Sequence, residues 1–199
     1  MFAAHAYKTT LEEIMKTLHK GKFRSGAVAA LLCAGLCLAS ASVLAVRAKG
    51  DNGAPDLPPA CENIEAPAGN KLAFRVYAVG VQRYRWNGAT WDFVEPVATL
   101  YADAKYNVKV GIHYAGPTWE SILGGKVVAT RVESCSPDTA SIPWLLLQAT
   151  SADGVLSSVT FIQRVNTKGG LAPTAPGAST GVMAEIPYTT EYYFYRSGN

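Results

Sequence analysis

Histidine, cysteine and charge are all scarce in this 199-residue chain, which holds three histidines, four cysteines and 17% charged residues. Two of the histidines and two of the cysteines, Cys33 and Cys37, fall within the first 41 residues. After that point only His113 and the pair Cys61 and Cys135 are left. So few ligands exclude the His-rich sets of catalytic zinc and copper centres, and no metal is expected. No G-x-S-x-G elbow is present to support nucleophilic hydrolysis. A Gly-rich turn between strand and helix is missing as well, along with any βαβ alternation, so dinucleotide chemistry has no footing and no cofactor is expected. Neither an internal repeat nor a low-complexity tract occurs.

What is present begins with a leader. Lys8, Lys16, Lys20, Lys22 and Arg24 stand against Glu12 and Glu13, and they run into the uncharged stretch 26–46. Basic, then apolar, then small is the order of an export signal. Ala39-Ser40-Ala41 offers small side chains for cleavage, with Val43-Leu44-Ala45 a second site, so residues 1–41 are read as a signal peptide. The alternative is a retained signal anchor, because an uncharged run of this length can cross ~30 Å of hydrocarbon. Cleavage would remove five of the 18 basic and two of the 15 acidic residues and leave a neutral remainder. Bulk charge then calls for no nucleic acid, and membrane contact comes only through an uncleaved leader. The expected location is secreted, periplasmic or cell-envelope. In such a compartment Cys61 and Cys135 are expected to form one disulfide.

Residues 42–70 are rich in Pro and Gly and poor in large apolar side chains, and they read as a tether. From Lys71 the period becomes two, with Leu72, Phe74 and Val76 on one face and Arg75 and Tyr77 on the other. Gly80 then separates a second run, and Asn87-Gly88 supplies a hairpin turn before Trp91. Further runs follow at 97–101, 109–114, 126–133, 144–149, 156–166 and 188–195. The expected fold is all-β: a single β-sandwich or barrel of about nine short antiparallel strands over residues 71–199. The Pro- and Gly-rich stretch 171–181 reads as a long connection of the kind that often binds ligands.

His113 can serve as an acid or base beside Glu120 or Tyr114, or it can simply end a strand while Trp119 packs into the core. Asp92, Glu95, Asp103, Glu120, Glu133 and Glu191 form the pool for paired-carboxylate chemistry. Tyr84, Trp86, Trp91, Tyr114, Trp119 and Trp144 form the pool of rings for a sugar-stacking surface. Arg164 lies close before Gly169-Gly170, where backbone N–H groups could hold an anion. The competing reading has Arg164 and Asn166 bonding a neighbouring loop while the glycines turn the chain.

Five segments together resemble a family of secreted proteins from bacteria and fungi, known as domain of unknown function 3455. They are Gly80-Val81-Gln82-x-Tyr84, His113-Tyr114-x-Gly116-Pro117-Thr118-Trp119-Glu120, Ile142-Pro143-Trp144-Leu145-Leu146-Leu147, the run from Ile162-Gln163-Arg164 through Ala172-Pro173, and Pro187-Tyr188 with Tyr192-Tyr193-Phe194-Tyr195. The family pattern usually has a cysteine where this chain has Trp86 and another within 176–179. Their joint absence implies that the Trp86 turn lies near the 173–181 loop, with Cys61 and Cys135 forming a separate bridge. Some members are labelled malate dehydrogenases, an activity not expected here without a nucleotide-binding pattern.

The expectation is therefore an exported β domain that binds a small molecule, a glycan or an envelope component through Gln82, His113, Trp119, Glu120 and Arg164. One alternative is a small enzyme using His113 and Glu120 as general acid and base. Another is a structural or assembly subunit of the envelope.

Overall fold

The computed structural model describes residues 53–198. The expected signal peptide, with Cys33 and Cys37, lies outside the described residues, as does residues 42–52 of the expected tether. Eight strands follow in order: β1 (Asn70–Trp86), β2 (Trp91–Tyr101), β3 (Lys109–Tyr114), β4 (Thr118–Ser121), β5 (Lys126–Cys135), β6 (Trp144–Ala152), β7 (Val159–Gly169) and β8 (Met183–Ser197). Each pairs antiparallel with the next, and β1 pairs with β8 from Asn70↔Ser197 to Arg85↔Met183, which closes an up-and-down barrel. An eight-stranded barrel has an interior just wide enough to be filled by side chains or to hold one small ligand.

Eight strands replace the nine expected, and two of them are long. Gly80 does not break β1. It sits mid-strand opposite Ala98, and a Cβ added there would run into the backbone of Val97 and Ala98, so its role is to let β1 and β2 come close. The runs around residues 91–94 and 97–101 are likewise one strand, through Pro96. Pro96 lies beyond the end of the β2–β3 pairing, which begins at Ala98↔His113, so its missing N–H breaks no ladder there. The short strand β4, absent from the expected set, completes the eight.

Period-two patterning directs Val76, Ala78, Gln82 and Tyr84 of β1 inward. A register shift between Leu72 and Phe74 reverses the pattern at the strand's start. Phe74 therefore packs inside the barrel, whereas Leu72, expected on the same face, joins a second cluster outside it. The hairpin at Asn87 forms as expected, but as a four-residue loop. The Asn87 side chain accepts hydrogen bonds from the N–H groups of Ala89 and Thr90, each at 2.9 Å, and Gly88 takes φ 105°.

The inner core is built on Trp119, Tyr192, Phe194, Ile162 and Leu100. The outer cluster covers β6–β8 with the segment before β1. Pro58 and Pro59 start a 3-10 helix, Pro59–Ile64, that lies within the expected tether and is packed onto the barrel, with Cys61 and Ile64 fully buried against Leu146, Val165, Tyr193 and Tyr195. The Cys61–Cys135 disulfide ties this helix to β5. Gln163 Nε2 donates to Ile64 O at 2.6 Å, and Tyr195 OH donates to Gln163 Oε1. This cover explains the aromatic run Tyr192–Tyr195, since both faces of β8 are buried there.

Candidate functional site

One end of the barrel interior encloses a cavity of ≈ 370 Å³. Its floor is buried and comes from four strands: Gln82 on β1, His113 on β3, Trp119 on β4 and Tyr192 on β8. Ile142, Leu145 and Leu147 form an apolar wall, and Phe93, Pro117 and Arg131 stand exposed at the mouth. Trp119 also lines a second cavity of ≈ 280 Å³, walled mainly by apolar groups such as Phe74, Val76, Leu100 and Phe194, with Arg75, Glu120 and Ser121 among them.

His113 pairs with Trp119 across β3 and β4, and the two rings stack 4.3 Å apart. Its Nδ1 lies 2.8 Å from Thr118 O. A carbonyl only accepts, so Nδ1 carries the proton and Nε2 is the ring's acceptor. Burial pushes the His113 pKa down to about 3, against the bond to Thr118 O and with help from the nearby Arg164 charge. The ring is neutral at pH 7.

Arg164 points into the barrel. Its Nε and Nη2 both donate to Pro143 O, at 3.1 and 2.7 Å, which orients the guanidinium beside the Tyr192 hydroxyl. Burial raises the pKa of Tyr84 and of Tyr192, and the Arg164 charge opposes both shifts. Tyr84 OH donates to Gly170 O at 2.6 Å. Four buried polar atoms make no well-formed hydrogen bond among the described residues: Gln82 Nε2, Trp119 Nε1, Tyr188 OH and Tyr192 OH, although Tyr188 touches Gln82 and Tyr192, and Tyr192 touches Arg164. Three of those four side chains line the cavity.

Of the five expected site residues, the structure brings together Gln82, His113, Trp119 and Arg164. Glu120 is separated from them. It follows Trp119 on β4 and so points to the outer face, where it accepts a hydrogen bond from Tyr114 OH at 2.8 Å. His113 and Glu120 are on opposite faces of the sheet and do not form the acid–base pair drawn in the alternative reading. The anion rim at Gly169-Gly170 does not form either. Gly169 N donates to Ser141 Oγ and Gly170 N to Pro187 O, while Asn166 bonds Glu191. The six carboxylates considered for paired catalysis are likewise outside the lining of the ≈ 370 Å³ cavity, although Glu120 borders the second one. Glu95 pairs with Arg83, Asp92 bonds Asn87, Asp103 caps its own loop, and Glu133 and Glu191 bond Asn63 and Asn166.

Tyr192 and Arg131 were missed as site residues. Tyr192 was hidden in an aromatic run, whereas the alternation Val127, Ala129, Arg131 already places Arg131 on the inward face of β5. The 173–181 loop lies beside the Trp86 turn, as the missing cysteine pair implied: Gly181 N donates to Trp86 O at 2.8 Å and Trp91 Nε1 to Ala175 O at 2.9 Å.

Fold and site define a small, closed antiparallel barrel with a polar-floored internal cavity. The chain belongs to the family described as protein of unknown function (DUF3455), whose model matches residues 67–196. No curated protein and no solved structure matches the chain. All five segments that carry the family resemblance contribute residues to the cavity, from Gln82 and Tyr84 through His113, Leu145 and Arg164 to Tyr192.

Proposed function

We propose that this domain is an exported binding barrel that takes a small organic molecule into the cavity floored by Gln82, His113, Trp119 and Tyr192. The observation that carries this reading is that three of the four buried polar atoms without a well-formed hydrogen bond belong to side chains lining that space. A buried donor or acceptor without a partner costs about 1–3 kcal/mol, and native interiors seldom leave several together. A molecule seated in the cavity would supply the partners. The volume lies at the small end of the ~300–1,000 Å³ typical of ligand pockets. The disulfide fits an oxidising compartment outside the cytoplasm.

A glycan draws less support as the occupant. Sugar stacking needs an open ring face, and Trp119 has one face against His113 with Tyr192 and Phe194 at its sides. Binding without turnover is favoured over acid–base catalysis because burial makes His113 a weak base, with a pKa of about 3, and no carboxylate lines the cavity beside it.

Screening the protein against a fragment library by thermal shift and Trp fluorescence tests the reading. Compounds that bind the parent protein should fail to bind Leu147→Trp, which fills the cavity. Equal binding to both proteins, or no binding to either, would overturn it.

A further inference from the structure

We propose that the molecule held in this cavity is an organic monoanion, a carboxylate on an apolar body, with the carboxylate turned toward Arg164 and the body against the Ile142–Leu147 wall. The inference rests on the binding reading above and names the chemical class of its ligand.

Charge is the first support. Arg131 and Arg164 both line the cavity, and no carboxylate lines it with them. Among the described residues Arg131 has no ion-pair partner, unlike Arg75 and Arg83 on the outer face, which are held by Glu191 and by Glu95 with Glu185. Arg164 is bonded to the Pro143 carbonyl and touches the Tyr192 hydroxyl, both uncharged, so its charge is not neutralised either. A half-buried guanidinium without a counter-charge is a standing preference for an anion.

Hydrogen-bond polarity is the second. Gln82 Nε2 and Trp119 Nε1 can only donate, and Tyr192 OH is able to. With the Arg164 guanidinium they make a donor-rich floor of the kind that suits the lone pairs of a carboxylate. The third support is the wall: Phe93, Pro96, Ile142, Leu145 and Leu147 offer a phosphate or sulfate ion nothing, but would bury a ring or a short alkyl chain. The volume of ≈ 370 Å³ holds such a body.

Isothermal titration with octanoate and 4-phenylbutyrate, their primary amides, and inorganic phosphate tests the class of ligand. At least one carboxylate should bind ten-fold or more tightly than its own amide. Arg164→Gln should remove that preference, and Arg131→Gln should weaken it with a smaller salt dependence. Arg83→Gln, which deletes the same charge from the outer face, should leave it unchanged. Because Arg164 also orients the Pro143 loop, circular dichroism of its variant accompanies the titration, and Arg131→Gln stands as the second probe. Amides that bind as tightly as the acids would overturn the anion while leaving a binding barrel. Phosphate that competes as well as the acids would overturn the organic class. No binding of any probe, with Leu147→Trp also indistinguishable from the parent in the fragment screen, would overturn both readings.

Discussion

His113 and Trp119 face each other across the β3–β4 ladder with their rings nearly parallel, 16° apart in plane, and Tyr192 closes against both at 5.2 and 5.3 Å. The lone histidine of the domain is thereby locked into the barrel floor as a neutral ring, with its only protonated nitrogen committed to Thr118 O. What can titrate there is stability rather than a free base.

That arrangement predicts a specific acid sensitivity. The folded His113 pKa, about 3, lies below the ~6.5 of an unfolded histidine. Between these values the unfolded chain binds the extra proton, so the stabilisation is complete above pH 6.5 and is lost as pH falls toward 3. Unfolding free energies from urea titrations between pH 7 and pH 4 should drop with a limiting slope of about 1.4 kcal/mol per pH unit. In His113→Asn, whose amide can still donate to Thr118 O, that slope should largely vanish. Asp103 and Asp138 contribute a separate loss in both proteins at lower pH. Their carboxyls are held below the usual range by hydrogen bonds from Val108 and Ala140 N–H respectively, so their stabilisation is lost only as pH falls through those lowered values. An unchanged slope in the variant would refute the burial argument.

The disulfide predicts a loss in two places. Cys61 and Cys135 are 74 residues apart, and closing a loop of that length is worth about 4 kcal/mol in the chain-entropy model. Cys61→Ala with Cys135→Ala should lower the unfolding free energy by about that amount. Hydrogen exchange should quicken first at Ile64 and the outward amides it covers on β6–β8, because the 3-10 helix would then be held by Ile64, Asn63 and Gln163 contacts alone. Exchange that rises uniformly over the barrel would show that the helix is no separate cover.

Gly80 offers the cleanest test of how the first hairpin packs. Its φ is not in the left-handed region, so Gly80→Ala should bring no backbone strain; the added Cβ would instead strike Val97 O and Ala98. Overpacking of this kind costs about 1–3 kcal/mol. Gly69→Ala supplies the contrast, since nothing lies within 4 Å of its Cβ but its φ of 86° favours glycine. The first variant should change the β1–β2 cross-strand contacts seen by NMR, and the second should not.

How much of this was legible in the chain follows from the range of the interactions. Strand character was plain because alternation is local: Leu72, Phe74 and Val76 against Arg75 and Tyr77 announce a two-faced strand by themselves, though the register shift then sends Leu72 to the other face. Gly80 was read as an interruption, and the run at 97–101 as separate from the one at Trp91, because tolerance of Gly80 and Pro96 depends on partners, a close β2 backbone for one and the end of β3 for the other. Barrel and sandwich could not be told apart, since closure is decided by the pairing of 70–85 with 183–197. Gln82, His113, Trp119 and Arg164 were singled out for their chemistry and do converge. Glu120 was grouped with them by proximity to Trp119 in sequence, but on a strand the next residue belongs to the other face. The segment before β1 looked like a tether because a 3-10 helix begun by two prolines needs only Cys61 and Ile64 to dock.

The last prediction sets stability against binding at the cavity floor. Tyr192 OH and Gln82 Nε2 are buried without a well-formed hydrogen bond, so deleting them removes a desolvation penalty and only loose contacts with Tyr188 and Arg164. Tyr192→Phe and Gln82→Met keep shape and volume nearly constant. Each should therefore stabilise the unliganded protein by about 1 kcal/mol, a rise of roughly 2–4 °C in Tm for a chain of this size. The same variants should bind carboxylate probes more weakly, because the lost donors are ones the ligand would use. Stabilisation with weakened binding identifies the two groups as kept for a ligand, at a cost to the empty fold. A loss of stability in both variants would mean instead that they serve the core, and the donor-rich floor would no longer argue for an anion.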